Sequence, residues 1–532
     1  MTDAAAAHES PRERGLEPTG LPALDQVLGG GVPRGALVLV LGAPGSGKTT
    51  LAGQIAFATA RAGQPVLLLA ALSEATSKLV THLRGFTFFE ESLLGNRIQV
   101  LSLQAALGQG QEATKNAVVD MVRRQRPRLV VLDGFQAVRG SLGDLQHARQ
   151  FMYELSTTLH TLGVTLLVTS EINPRDPTFF PESTTVDVIV GLHFRVVGVR
   201  QYRGLEIIKA RETAPLAGIH TLLLGREGVH IAPQLEERVA LETWQRQGDR
   251  ATASAASSPE IPPTEDRASL GIAEVDQLLS GGLPRSTNTL LLGTPGVGKT
   301  LLSLHFLLDG IKQGEPALLL SFQETQAQLL RLTAPFILGP QVQAALQPGG
   351  GLTLLHVPAL KLQVDVVAEQ LFAGLEQTRA RRLVIDGIAA LEQALQRAGE
   401  TERLEEWLTA LLIALQQRGV TALLTRETIR FLGPTADFPA DPLTILAENV
   451  LLCQQVSFEG QLHRVLAPLK MRYAAFDPAG RAFRIVAPTG LEVLSLDEGT
   501  LRLLASMRDP AWAFAWSGQR PPAPRSTAQE ES

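Results

Sequence analysis

Short, unbroken apolar runs alternate along this chain with longer segments of helical spacing. Leu37–Leu41, Val66–Ala70, Leu129–Asp133 and Val164–Ser170 form one series; Thr289–Leu292, Ala317–Phe322, Leu383–Asp386 and Val420–Thr425 form a second. Runs that are continuous rather than alternating predict strands buried on both faces, hence a parallel sheet covered by helices. Helical patterns at Thr50–Arg61 and Leu301–Gln313 follow the first run of each series. Each series then gives way to strand-like stretches separated by turns. Gln201–Arg211 leads through Gly218-Ile219-His220 to Gly228–Ile231, and His463–Arg472 leads to Gly490–Val493. These predict β-hairpins added to the sheet edge. The expected fold class is α/β: two tandem domains, each a mostly parallel sheet flanked by helices with an appended β-hairpin region.

The two series are one domain written twice. Thr19–Gly35, with its run of glycines before Val32-Pro33-Arg34, returns as Leu270–Arg285. Asp25 precedes Lys48 by 23 residues, as Asp276 precedes Lys299, and the two lysines are 251 apart (299 − 48). A period of that length is a whole domain rather than a solenoid unit. The expected boundaries are an N-terminal domain at 16–235, a linker at 236–267 and a C-terminal domain at 268–495. The first 15 residues and the tail from 496 are expected to be wholly or partly disordered, with Trp512 and Trp516 free to dock or cap the core. Length agrees, since 532 residues exceed what one core supports.

The sequence repeats one chemical motif. Gly42-Ala43-Pro44-Gly45-Ser46-Gly47-Lys48-Thr49 and Gly293-Thr294-Pro295-Gly296-Val297-Gly298-Lys299-Thr300 both fit the phosphate-loop pattern, between an apolar run and a helix. Glycines let successive N–H groups curl inward, and the helix N-terminus adds partial positive charge. Lys48 and Lys299 are expected to reach the β- and γ-phosphates of ATP, and Thr49 and Thr300 to ligate Mg²⁺. Thr50 and Leu301 complete the two candidate nucleotide-binding sets. Asp133 and Asp386 close apolar runs, where a carboxylate can hold the Mg²⁺ shell. Glu74 and Glu324 follow the second run of each series, expected beside the phosphate-loop strand, where a carboxylate can activate the attacking water. Lys209-Ala210-Arg211 and Lys470-Met471-Arg472 repeat a Lys-x-Arg pattern. Alternate strand residues face one way, so both cations can meet a neighbouring subunit's γ-phosphate, as an arginine finger does. That reading requires a ring.

Charge and cysteine narrow the setting. A net charge of −5 gives no whole-molecule attraction to nucleic acid or an anionic membrane. Cys453 stands alone and fits a reducing cytoplasm. Met1–Gly15 has no apolar core of a secretory signal, and no run approaches the roughly 20 residues that span a bilayer. The runs Arg123–Arg126 and Arg379–Arg382 read as helix C-termini.

On the lead-in, the paired loops, the acid-ending runs and the Lys-x-Arg pairs, the chain resembles the KaiC family of RecA-like ATPases over roughly 15–235 and 268–495. The resemblance implies a double-layered homohexamer with ATP-Mg²⁺ at subunit interfaces and slow ATP hydrolysis acting as a conformational switch. It also implies regulatory protein partners and, in clock members, autophosphorylation by the second domain. Family members commonly carry two adjacent glutamates after the second strand; here the first is Ser73 or Gln323. The clock protein's Ser-Thr phosphoacceptor pair falls near Thr444-Ile445, so Thr444 is the candidate acceptor. Proline-containing sequence lengthens Gly433–Pro442, and Ser286 replaces a lead-in glycine. Three alternatives accompany the ATPase switch: an autokinase, a RecA-like DNA motor and a scaffold in which nucleotide only joins subunits. The motor predicts basic, aromatic or Gly-rich pore loops, and Pro174–Glu182 is not strongly basic, with one Arg and two acids.

Overall fold

The computed structural model describes residues 15–71, 75–141, 145–175, 185–252, 266–428, 442–458, 461–477 and 480–494. It divides into two compact units, 1–238 and 239–532. The expected disorder at either terminus, Trp512, Trp516, Ser73 and Glu74 lie outside the described residues, as do most of Pro174–Glu182 and Gly433–Asp441.

In the first unit, besides a two-stranded pair at Leu16–Glu17 and Val32–Pro33, the strands are β1 (Leu37–Gly42), β2 (Val66–Ala70), β3 (Ile98–Ser102), β4 (Leu129–Asp133), β5 (Thr165–Ser170), β6 (Val188–Val197), β7 (Arg200–Ala210), β8 (His220–Gly225) and β9 (Gly228–Ala232). Among the described residues they form one sheet in the order β3-β2-β4-β5-β1-β6-β7-β8-β9. β1 is parallel to β5 and β6, whereas β6 to β9 are joined antiparallel. Every residue of β1 is buried, because helices cover both faces of this central strand. Helix α1 (Lys48–Arg61) leaves the end of β1, and α2 (Ala75–Leu83) follows β2. Helix α3 (Leu235–Thr252) occupies the first part of the segment expected to be linker.

The second unit repeats the plan. Its strands are β10 (Asn288–Gly293), β11 (Ala317–Ser321), β12 (Leu352–His356), β13 (Arg382–Asp386), β14 (Thr421–Glu427), β15 (Asn449–Phe458), β16 (Gln461–Met471), β17 (Arg481–Val486) and β18 (Gly490–Val493). Their order is β12-β11-β13-β14-β10-β15-β16-β17-β18. Helix α4 (Lys299–Lys312) leaves β10, α5 (Gln326–Thr333) follows β11, and the short α6 (Pro442–Leu446) precedes β15.

One expectation is corrected. The strands preceding Glu74 and Glu324 do not lie beside the phosphate-loop strands. β4 and β5 separate β2 from β1, and β13 and β14 separate β11 from β10. Sequence adjacency suggested direct neighbours, but the chain crosses over the sheet before it fills the gap.

The lead-in is held by its aspartate. The Thr19 backbone N–H and hydroxyl both donate to Asp25 at 2.7 Å. In the second unit the Leu270 and Gly271 N–H groups donate to Asp276 at 2.6 and 3.2 Å. Burial pushes both carboxyls up, and these donors oppose it. Gly31 is required: a Cβ there would lie 2.3 Å from the Glu17 carbonyl oxygen.

The repeats diverge under this lead-in. In the second unit Arg382, wholly buried, stacks its guanidinium 4.9 Å from the Phe306 ring centroid. It donates to Glu315 at 2.6 Å, to the carbonyls of Ser269 and Phe306 at 2.6 and 2.8 Å, and to Gln313 at 3.2 Å. The matching positions of the first unit are smaller or less polar: Leu129 for Arg382, Ile55 for Phe306, Ala62 for Gln313 and Gln64 for Glu315. All four line a cavity of about 580 Å³. Its charged rim is mutually paired, with Glu17 meeting Arg34 and Arg128. Replacing Arg382 by Leu leaves Glu315 with Arg285 as its ion-pair partner but takes the donor from the carbonyls of Ser269 and Phe306, at a cost of about 1–3 kcal/mol. Hydrogen exchange across β13 is expected to accelerate accordingly; unchanged protection would contradict this role.

Candidate nucleotide site

β1 ends at Gly42, and the chain then turns through left-handed backbone before α1 begins. Gly45 and Gly47 have φ of 77° and 107°, and Gly296 and Gly298 repeat them at 71° and 109°. A side chain at these positions would be strained, which is why the motif fixes glycine there. Neither α1 nor α4 has a side chain capping its first turn, so the N–H groups of both helix starts face the loop. The Lys48 ammonium donates to the Gly42 and Ala43 carbonyls at 2.9 and 3.1 Å. Lys299 donates to those of Gly293 and Thr294 at 3.1 and 3.0 Å. Burial lowers the pKa of both lysines. Glu171 and Asp133 counteract it at Lys48, and Glu427 and Asp386 lead the opposing charges at Lys299. The buried hydroxyls of Ser46 and Thr294 have no hydrogen-bond partner among the described residues. Open amides, a buried cation and one unmatched hydroxyl in each loop fit the phosphates of a nucleotide.

A carboxylate bridges each loop helix to the sheet. The Thr49 hydroxyl donates to Asp133, 3.2 Å from either oxygen, and Thr169 donates to the same carboxylate at 2.6 Å. The Gly134 N–H in turn donates to the Thr169 hydroxyl at 2.9 Å. In the second unit Thr300 and Thr425 donate to Asp386 at 3.0 and 2.5 Å, and the Gly387 N–H donates to Thr425 at 2.9 Å. Hydroxyl and carboxylate oxygens gathered at a phosphate loop are the donor set that Mg²⁺ takes. Thr49 with Asp133, and Thr300 with Asp386, would hold that ion.

The two clefts bring together most of the residues singled out from sequence. The first, of about 480 Å³, is lined by Lys48, Thr49, Thr50, Asp133 and Glu171 among others. The second, of about 630 Å³, is lined by Lys299, Thr300, Leu301, Glu324, Asp386 and Glu427 among others. Glu324 is oriented by Ser321, whose hydroxyl donates to it at 3.1 Å and accepts its backbone N–H at 3.0 Å. Sequence reasoning missed Thr169, Thr425, Glu171 and Glu427. Their signal was the fourth apolar run, which closes on Thr-x-Glu in both copies at Thr169–Glu171 and Thr425–Glu427.

The Lys-x-Arg pairs are not in these clefts. Lys209 is opposite Ile189, which is opposite Leu39, three residues back from Gly42 along β1. Arg211 lies just past the end of β7, 3.4 Å from Asp187. The β6–β7 register shifts between Ile189 and Val190, so the irregularity falls at Ile208, just before the pair. Burial, then the charge of Arg211, lowers the Lys209 pKa. Lys470 donates to the carbonyls of Thr444, Ile445 and Ala447 at 3.3, 3.0 and 2.7 Å, around the end of α6. Arg472 follows β16 in the same way. Thr444 is 5% exposed, and its hydroxyl is enclosed without a hydrogen-bond partner among the described residues.

A family model described as "ATPase: KaiC" matches residues 17–236 and again 268–498. The chain belongs to the KaiC ATPase family. Among curated relatives it is 24% identical to a circadian clock oscillator protein KaiC of Picosynechococcus sp. over 473 residues, covering 87% of this chain and 86% of that one. It is 23% identical to the protein of that name in Thermosynechococcus vestitus over 509 residues, 93% of this chain and 92% of the relative. The circadian clock protein KaiC3 of Synechocystis sp. is 24% identical over 491 residues, 88% and 89% of the two chains. Two KaiC domains thus account for both phosphate loops, and the fold is the tandem α/β arrangement expected. Among the described residues no helix is long and apolar enough to cross a membrane.

Thr425→Val removes the hydroxyl that orients Asp386. Partners of this kind are worth about 10–100-fold in metal affinity, so the Mg²⁺ concentration that half-saturates nucleotide binding in a Lys48→Ala background is expected to rise by that order. An unshifted Mg²⁺ titration would contradict a metal role for Asp386.

Proposed function

We propose that this chain is a ring-forming ATPase that binds ATP with Mg²⁺ at subunit interfaces and hydrolyses it slowly. Its nucleotide state then sets the arrangement of the ring and its protein partners. The observation that carries this is a separation within each unit. The loop, the metal-type carboxylate and the lysine converge on one cleft, while the Lys-x-Arg pair is held at another part of the same sheet. On this reading a second copy supplies the further positive charge on the γ-phosphate.

Within the site each group has a task. Loop amides and the Lys48 or Lys299 ammonium bind and orient the phosphates. Mg²⁺, where bound, neutralises charge on them. In the second unit Glu324, held by Ser321, is the base that accepts the proton of the attacking water; Glu74 has that role in the first by repeat. Lys209 and Arg211, or Lys470 and Arg472, stabilise the charge of the transferring phosphoryl group in a neighbouring copy. For the ring to act as a switch, ATP and ADP need only favour different subunit arrangements. Relatives of this chain are named as circadian clock oscillator proteins, and an ATP-timed switch is the part of that role carried over here. A homohexamer in the cytoplasm is the assembly this reading expects.

Light scattering with ATP and Mg²⁺ is expected to give a mass near six chains. Phosphate release is expected to be slow in the unaltered protein and lost in Lys48→Ala/Lys299→Ala. A monomer under all conditions, or release that survives both substitutions, would contradict the proposal.

A further inference from the structure

The two nucleotide clefts differ in one coordinated pair of residues. In the first, Thr50 is the residue after the metal-type Thr49. Its hydroxyl lies 3.2 Å from His82 Nε2, at hydrogen-bond distance. Thr50 is buried, whereas His82 faces the open cleft from the last turn of α2, edge-on to the Phe86 ring at 5.3 Å. Both line the same cleft as Lys48, Asp133, Glu171 and Lys78. In the second unit the position after Thr300 is Leu301. The position eight residues beyond Glu324, as His82 is beyond Glu74, is Leu332. Leu301 and Leu332 line that cleft together. A polar pair in one repeat has become an apolar pair in the other, with both members changed. The position of Lys78 is taken by Gln328, whose side chain accepts from the backbone N–H of Thr325 at 2.9 Å in a capping box and so turns back to its own helix.

An apolar pair such as Leu301 and Leu332 fills space without helping a polyanion. A hydroxyl fixed by an imidazole presents an oriented donor to one, and orienting it beforehand avoids the entropy of doing so on binding. Lys48 and Thr49 serve the β–γ end of the phosphate chain and its metal. Thr50 lies one residue further into the helix, so its hydroxyl serves the part of the chain that ATP and ADP share.

We propose that His82 is a positioning residue of the first nucleotide site alone: it holds the Thr50 hydroxyl toward the phosphate chain and makes that site bind ATP and ADP more tightly than the second. This rests on the nucleotide-binding reading above and adds a difference in affinity between the two clefts.

The test uses the full chain carrying Lys299→Ala, which leaves the first site as the one binding nucleotide, with ATP and ADP affinities measured separately. One hydrogen bond to the phosphates sets the scale. His82→Leu is expected to weaken both nucleotides equally, by about three- to tenfold. Thr50→Val is expected to do the same, and the double variant no more than either single one, because the two act as one unit. His82→Gln, which keeps a group able to hydrogen-bond the hydroxyl, is expected to restore most of the affinity. Unchanged binding in His82→Leu, unequal effects on ATP and ADP, or additive losses in the double variant would each overturn the proposal. Absence of any nucleotide binding in Lys299→Ala would overturn the nucleotide reading of the first cleft and the proposal with it, an outcome distinct from unchanged binding in His82→Leu.

Discussion

Each unit is organised by a carboxylate that ties two strand ends and a helix together. Asp133 closes β4, takes the hydroxyl of Thr169 on β5, and takes that of Thr49 at the start of α1; Asp386 does the same with Thr425 and Thr300. Parallel strands that end at one edge leave unpaired backbone groups and helix N-termini there, and ligands bind at such edges for that reason. The threonine–aspartate bridge fixes the register of that edge. Without it the phosphate loop would have a helix behind it but no fixed relation to the acids beside it.

Much of this was legible in the chain, because the features concerned are local. Continuous apolar runs such as Leu37–Leu41 name buried strands, and left-handed turns restrict Gly45 and Gly47 to glycine. The lead-in repeats because Asp25 and Asp276 must accept the same N–H groups. Strand order was less accessible. Glu324 reaches the cleft although β13 and β14 lie between its strand and β10, since a loop can span a distance that hydrogen-bonded neighbours do not. Thr169 and Glu171 escaped notice because a hydroxyl or acid after an apolar run is common, and only the folded edge shows which of them meets Asp133 or Lys48. The Lys-x-Arg pattern was visible, but the register shift between Ile189 and Val190 was not.

Duplication has left the two units free to diverge while keeping the parts that the loop demands. Arg382 and its acidic partners fill the space beneath the second lead-in, where Leu129, Ile55 and their neighbours enclose a cavity in the first. Thr50 and His82 of the first unit correspond in the same way to Leu301 and Leu332 of the second. In each case the interacting residues differ between the repeats as a group, the charged or hydrogen-bonded pair of one unit being absent from the other. That is how buried polar networks must change, because a half-removed network leaves an unpaired group that costs more than either complete solution.

The central claim is that each phosphate loop is completed by cations from a second copy. Mixed rings test it most directly. Lys48→Ala/Lys299→Ala chains lack functional loops, and Arg211→Ala/Arg472→Ala chains lack the donated arginines, so each alone is expected to release no phosphate. If sites form between copies, rings assembled from equal parts of the two variants contain interfaces with an intact loop facing an intact arginine, and phosphate release returns. If each site is complete within one chain, every chain in the mixture is defective and release stays absent.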